Sequence, residues 1–354
     1  METNALNLLK DMVNAPSPSG YEKPAQDIWI KYVKTFADEV KKDVHGNAMA
    51  VINPKGKPRI MLAGHCDEIG LMVRYIDDKG YIYFGMIGGI DTGILPGQRF
   101  YIHTKTGPVL AIVGKKAIHL MEEEERKSAG SPKLHGLWLD IGAKSKKEVA
   151  KIIDIGDPIT FAVGFEKLKN DLVVSRGFDD KMGAWIVAEA LRLIAKKKPQ
   201  AAVYAVSTVQ EEIGMRGART SAYGISPDIG IAVDVTHATD YPDSNPKRSG
   251  DIKLGSGPAI SRGPNINHVV FDRLVAAAKA DKIPYQVEAA PGATGTDANM
   301  MQVTKEGVAT GLVSVPNRYM HTPIEVISLA DLENTAKLLA GFTLKLNGNV
   351  NFIP

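Results

Sequence analysis

Apolar positions recur at helical spacing over residues 4–13, and Ser19 with Glu22 has the form of a capping box ahead of a second helical stretch, residues 22–36. The turn residues His45, Gly46 and Asn47 then introduce two strand-like runs, AMAVIN and PRIMLAG, separated by Pro54 and Gly56. His65 stands at the C-terminal end of the second run.

From about Leu71 to Phe165 the pattern changes to short alternating runs, YIYFGMI, QRFYIHT, GPVLAIVG, LWLDIGA and DPITFAV, bounded by turn pairs such as Lys79-Gly80 and Pro96-Gly97. This spacing predicts a small all-β barrel or sandwich, interrupted by MEEEERKSAGSPK and SKKEVAKII. After Asp179 helices and strands alternate again: a helix over residues 179–196 with Trp185, Ala188, Leu191 and Ala195 on one side, the strand AAVYAVST, a helix after Gly217 and the strand DIGIAVD. HVVFDRLVAAAKA (helix), PYQVEA (strand), VATGLVSV (strand) and a final helix over residues 328–344 continue the alternation. The expected fold is therefore α/β, a mostly parallel central sheet with helices on both faces, interrupted by an inserted β domain. The boundaries are 1–70 and 166–354 for the α/β part and 71–165 for the insert.

A chain of 354 residues is long for one hydrophobic core, which agrees with two domains. A net charge of +3 with scattered lysines gives no footprint for nucleic acid. No segment reaches the roughly 20 apolar residues of a membrane span, and METNALNLLKDMV lacks the form of a secretory signal, so a cytoplasmic location is expected. The single cysteine, Cys66, can form no internal disulfide. Lying between His65 and Asp67 in an extended run it faces away from both, and it reads as a buried apolar group rather than a ligand or nucleophile.

Candidate chemistry lies at the ends of these runs: His65 and Asp67 in MLAGHCDEIG, Asp179 in SRGFDDKMG, Glu211 and Glu212 in STVQEEIGMRGA, Asp234 in IAVDVTHA and His321 in NRYMHTPIE. Imidazoles and carboxylates without a thiolate cluster suit a hydrolytic zinc or cobalt site. In open α/β sheets such groups gather beyond the carboxyl ends of the strands. Two metals about 3.5 to 4 Å apart need a bridging carboxylate. Asp179, just before a helix, suits the bridge; His65 and Asp234 would complete one metal, Glu212 and His321 the other. Asp67 is placed to orient the His65 ring, and Glu211 is left to act as general base.

These motifs resemble the co-catalytic metallo-aminopeptidases of the tetrahedral aminopeptidase type, which include glutamyl, leucyl, lysyl and deblocking enzymes. AGHCDEIG, FDDKMGAW, QEEIGMRGA, VDVTHA, TGTDA and MHTPIE occur in the family's order across nearly the whole chain. The resemblance implies the same assignment: His65, Asp179, Glu212, Asp234 and His321 as ligands of two divalent ions, zinc or cobalt, Glu211 as base and Asp67 as the histidine-orienting carboxylate. It also implies peptide substrates, dimerisation through the β insert and assembly of the homo-oligomer into a hollow tetrahedral dodecamer.

Other classes compete. A glycoside hydrolase of endoglucanase type needs only two carboxylates and leaves His65 and His321 unexplained; a non-catalytic assembly protein has no use for Glu211 beside a complete ligand set. His237 reads as locally structural, His119 as an interface or packing residue, Glu122 to Glu125 as a solvated helix face, and Gly255 and Gly257 as backbone-turn residues. The preferred N-terminal residue is not legible.

Overall fold

A computed structural model describes residues 1–124, 130–346 and 351–353. Its main sheet contains strands β1 (Glu39–Lys42), β2 (Ala48–Ile52), β3 (Arg59–His65), β12 (Ala202–Thr208), β13 (Ile229–His237), β14 (Ala259–Arg262), β15 (Gln286–Ala289) and β16 (Ala309–Asn317) in the order β1-β2-β12-β3-β13-β16-β14-β15. The centre, β12-β3-β13-β16, is parallel; β1, β2 and the β14/β16 pairing are antiparallel. Central parallel strands are covered on both faces and so read as continuous apolar runs: β13 is buried everywhere except its last residue, and β3 everywhere except its first.

The second architecture is a closed antiparallel barrel, β4-β5-β8-β7-β6-β9, made by β4 (Gly70–Ile76), β5 (Ile82–Ile87), β6 (Arg99–Thr104), β7 (Gly107–Gly114), β8 (Trp138–Asp140) and β9 (Pro158–Phe161). Closure leaves no exposed strand edge. The inward-facing Leu71, Phe84, Phe100, Ile102, Leu139 and Phe161 form a core separate from that of the sheet. A small antiparallel sheet joins β10 (Glu166–Lys167), β11 (Leu172–Ser175) and β17 (Glu325–Ser328).

Helices α1 (Thr3–Asn14) and α2 (Lys23–Val33) precede the sheet, and the single turn α3 (Lys146–Val149) belongs to the barrel segment. Next come α4 (Phe178–Ala195), α5 (Arg216–Ile225), the short α6 (Pro246–Ser249), α7 (His268–Ala280), α8 (Asp297–Gln302) and α9 (Leu329–Leu344). α4 is buried almost all round, packed on β3, β12 and β13 beneath α1 and α9. Two buried indoles bind the N-terminal helices to it: Trp29 Nε1–H donates to the Ala184 carbonyl at 2.8 Å, and Trp185 Nε1–H to the Ala5 carbonyl at 2.7 Å. β3 and α4 meet at two glycines. A Cβ on Gly64 would lie 2.3 Å from the Gly183 backbone, and one on Gly183 would lie 2.1 Å from an Asp180 oxygen.

Two sequence expectations resolve differently or only in part, and the turn reading of Gly255 and Gly257 holds. Ser19 does not cap α2: its hydroxyl donates to Asp67, and Glu22 accepts N–H groups from Gly20 and Gln210, since a neighbouring carboxylate and orphan loop amides compete better than the helix end. Gly255 and Gly257 are turn residues whose N–H groups donate to Asp331 in the first turn of α9. Glu122 to Glu124 are exposed, whereas Glu125 lies outside the described residues.

Glu68 joins the two architectures just before the barrel begins. Its carboxylate, 1% exposed, pairs with Arg176 and with the fully buried Lys181 at 2.8 Å, and accepts the Ser17 N–H. Burial alone would raise this carboxyl, but the two cations hold it down at about 2. Its folded-state value thus lies below its unfolded one. The stability it contributes is complete above about pH 4.5 and is lost as pH falls toward 2. Glu68→Gln should cost about 3–5 kcal/mol at neutral pH, because it strands two buried cations, and the loss relative to wild type should shrink below pH 4; denaturant titrations at pH 7 and pH 3 measure both.

Candidate active site

The parallel register gathers the site at one end of the sheet. Thr208 lies opposite His65, which puts the loop carrying Glu211 and Glu212 beside the end of β3. On the other side Ala232 pairs with Ala63, so Asp234 comes level with His65 two residues later. Asp179 arrives from the start of α4, where its backbone (φ −76°, ψ 106°) is not yet helical. His321 follows β16, in a turn that holds it at φ +60°.

Asp179 faces both imidazoles. One of its oxygens lies 3.3 Å from His65 Nε2, the other 3.2 Å from His321 Nε2. Glu212 approaches His321 Nε2 at 3.5 Å, and Glu211 approaches His65 Nε2 at 3.9 Å. Two trios result, His65–Asp179–Asp234 and Asp179–Glu212–His321, each able to bring its ligand atoms within 4.8 Å of one another. Asp179 belongs to both. All seven residues singled out in the sequence therefore meet in one place.

Further buried carboxylates brace the backbone behind them. Asp67 accepts the N–H groups of Glu211 and Glu212 at 3.0 and 3.1 Å, so one carboxylate sets the position of both glutamates. For the His65 ring, however, the closest Asp67 acceptor is its backbone carbonyl, 3.1 Å from Nδ1; the carboxylate lies at 3.4 Å because its oxygens already serve the loop and Ser19. Asp180 accepts the His65 N–H at 3.1 Å, and Glu325 accepts the N–H groups of Asp179 at 3.0 Å and His321 at 3.1 Å. Asp297 accepts from the Thr208 hydroxyl at 2.5 Å. Asp180, Glu325 and Asp297 were not distinguished by sequence reasoning, although FDDKMGAW, MHTPIE and TGTDA contain them. Their role lies in contacts to residues distant in the chain, which no local pattern encodes.

So many acids in a dry space titrate abnormally. Burial pushes Glu211 up to about 9 and Asp234 up to about 8, with neighbouring carboxylates adding to the effect. Glu212, Asp180 and Glu325 are raised for the same reason. Asp179 moves the other way: burial would raise it, but hydrogen bonds from His321 and His65 hold it low. Glu212 Oε1 is buried without a hydrogen-bond partner. Orphaned, mutually repelling oxygens beside two imidazoles suit divalent cations, which supply the missing positive charge.

Cys66 joins neither trio; it is buried, and burial pushes its thiol up. His237 is exposed on the wall of the cavity over the site, and His119 is exposed in the barrel segment. Among the described residues, no helix is long and apolar enough to cross a membrane.

The family model described as M42 glutamyl aminopeptidase matches residues 46–338. The lysyl aminopeptidase of Pyrococcus furiosus is 38% identical over 335 residues, covering 94% of each chain. Among solved structures, the TET aminopeptidase of a marine-sediment Thaumarchaeota archaeon is 31% identical with a TM-score of 0.93, covering 97% of each chain. The TET1 peptidase of Pyrococcus horikoshii, whose structure is described as assembling into a tetrahedron or a large octahedral shell, is 30% identical with a TM-score of 0.86 over 97% of this chain and 100% of its own. With most of its length matched by the family model and a relative above 30% identity covering nearly all of it, this chain belongs to the M42 glutamyl aminopeptidase family.

Proposed function

We propose that the chain is a metal-dependent aminopeptidase holding two divalent ions per subunit. The observation that carries this reading is Asp179, whose two oxygens face two different histidines, each in a trio with a further carboxylate. His65 and Asp234 would hold one ion, Glu212 and His321 the other, with Asp179 shared. Zinc and cobalt suit the imidazole and carboxylate donors. A glycosidase reading uses two carboxylates flanking a sugar and gives the histidines no task.

When bound, the ions polarise the scissile carbonyl and make water more acidic. Glu211 stands outside both trios, 3.9 Å from His65, and is lifted by burial to about 9. Divalent charge held by the two trios would lower that value toward the operating range of a general base. In this role Glu211 takes a proton from the attacking water and passes it to the leaving amine. Asp67 fixes both glutamates through their backbone N–H groups, keeping the base and its ligand neighbour in distinct positions. The substrate space is a cavity of about 520 Å³, suited to a side chain and a peptide end rather than a folded domain.

The similarity to the TET peptidases supports homo-oligomeric assembly into a tetrahedral dodecamer, in which the barrel of β4 to β9 would supply the dimer contact. Tyr75, Met86, Tyr101, Leu110 and Ile112 lie exposed on its strands, the apolar character such an interface needs. A cytoplasmic location fits a chain with one buried free cysteine.

Three outcomes test the reading. Glu211→Gln should keep its metal content while losing about 100-fold to 10,000-fold in turnover, read by metal analysis beside single-turnover kinetics. Asp179→Ala should lose both ions and His321→Ala chiefly one, as measured by calorimetric titration of the stripped proteins; two tightly held ions in the Asp179 variant would refute the bridge. Free peptides should yield a mass-spectrometric ladder losing one N-terminal residue at a time. Their acetylated forms should persist, and chelation should stop the reaction; internal fragments as first products would overturn the assignment.

A further inference from the structure

The cavity over the site is lined by seven titratable side chains, Asp179, Glu211, Glu212, Asp234, His237, Glu288 and His321. Lysine and arginine are absent from its described lining. Five of the seven belong to the proposed metal and base machinery, and His237 offers no carboxylate. Glu288 is the one carboxylate left without a task.

It stands on β15, the outermost strand of the sheet, and is half-buried in the cavity wall. Two hydroxyls fix it: Thr236 Oγ1 donates to one oxygen, and Ser261 Oγ to the other at 3.2 Å. Thr236 follows Asp234 by two residues on β13. The two side chains share a face about 7 Å apart along the strand, so Glu288 is tied to the same wall as a proposed ligand. Each carboxylate oxygen keeps a further lone pair for an incoming donor. Hydroxyls orient the carboxylate without neutralising it, and among the described residues no cation pairs with it. A carboxylate withdrawn from water in this way is best complemented by a cation carried in by the substrate.

Buried Leu312 and the thioether of Met320 line the same cavity, an apolar track for a long aliphatic stem. A lysine or arginine side chain combines such a stem with a terminal cation. An acidic side chain would meet like charge at Glu288, and an apolar one would leave the carboxylate uncompensated. We propose that Glu288 is the specificity residue of this cavity and selects peptides with a basic N-terminal residue. This assignment rests on the aminopeptidase reading and goes beyond it, because the family description says glutamyl where the Pyrococcus furiosus relative is named lysyl, and likeness alone does not choose between them.

The test compares lysyl, norleucyl and glutamyl p-nitroanilides on the metal-loaded full chain. Lysine and norleucine share a linear four-carbon stem and differ in the terminal ammonium, so their ratio isolates the charge. The expected wild-type result is a lysyl kcat/KM at least about tenfold above the norleucyl one, carried mostly by KM, with the glutamyl substrate poorest. Glu288→Gln should erase most of the lysyl advantage, and Glu288→Asp should restore part of it. Norleucine cleaved as well as lysine by the wild type overturns the assignment without any variant. An equal loss on all three substrates in Glu288→Gln also overturns it, since that pattern belongs to a structural or α-amine-binding role. Cleavage of none of the three would bring down the aminopeptidase reading itself, whereas cleavage without a lysyl advantage removes only the role of Glu288.

Discussion

Mutual repulsion among buried carboxylates is the constraint on which the rest of the structure depends. Asp67, Asp179, Asp180, Glu212, Asp234, Asp297 and Glu325 are all nearly or fully withdrawn from water around two imidazoles. Left to relax, such a group would separate or protonate. Here the backbone prevents separation. The ligand residues stand at the ends of hydrogen-bonded parallel strands or at the start of a buried helix, and their N–H groups are held by three more carboxylates. The strain of crowding is thereby stored in rigid elements, and divalent cations are the natural way to relieve it.

The close approach of α4 to β3 follows from the same requirement. Asp179 and Asp180 reach the sheet only because Gly64 and Gly183 let two backbones meet without side chains between them. The helix is then pinned from above by the two tryptophan hydrogen bonds, and its first turns are anchored to the barrel segment by Lys181 and Arg176 on Glu68. A network that is buried and fully paired resists displacement far more than a surface pair does. The first turns of α4 are thus fixed on several sides, which suits a residue proposed to be shared by two ions.

The barrel has its own apolar core, separate from that of the sheet. Gly89, just beyond β5, still reaches the site, where its carbonyl accepts from His321 Nδ1 at 2.9 Å and so sets the direction of Nε2. A segment that builds an independent β unit therefore also orients one imidazole. The cavity wall is likewise composite: β13, β15 and β16 supply it together with the loop that carries Glu211 and Glu212.

What the sequence determined by itself was the set of elements and the chemistry at their ends. Continuous apolar runs marked β2, β3, β12 and β13, and the 3.6-residue period marked the long helices, because burial on both faces of a strand or on one side of a helix imposes those patterns directly. His65, Asp67, Asp179, Glu211, Glu212, Asp234 and His321 stood out because each follows an apolar run or opens a helix. Only the tertiary structure decided which backbone amides the remaining acids would hold. Ser19 turned from a predicted helix cap into a donor to Asp67, Asp180 and Glu325 became braces, and Glu288 entered the cavity through contacts to Thr236 and Ser261. Such partners lie far apart in the chain, 146 residues in the case of Asp179 and Glu325. A hydrogen bond between them depends on strand order and register, which are properties of the whole sheet and not of any local stretch of chain.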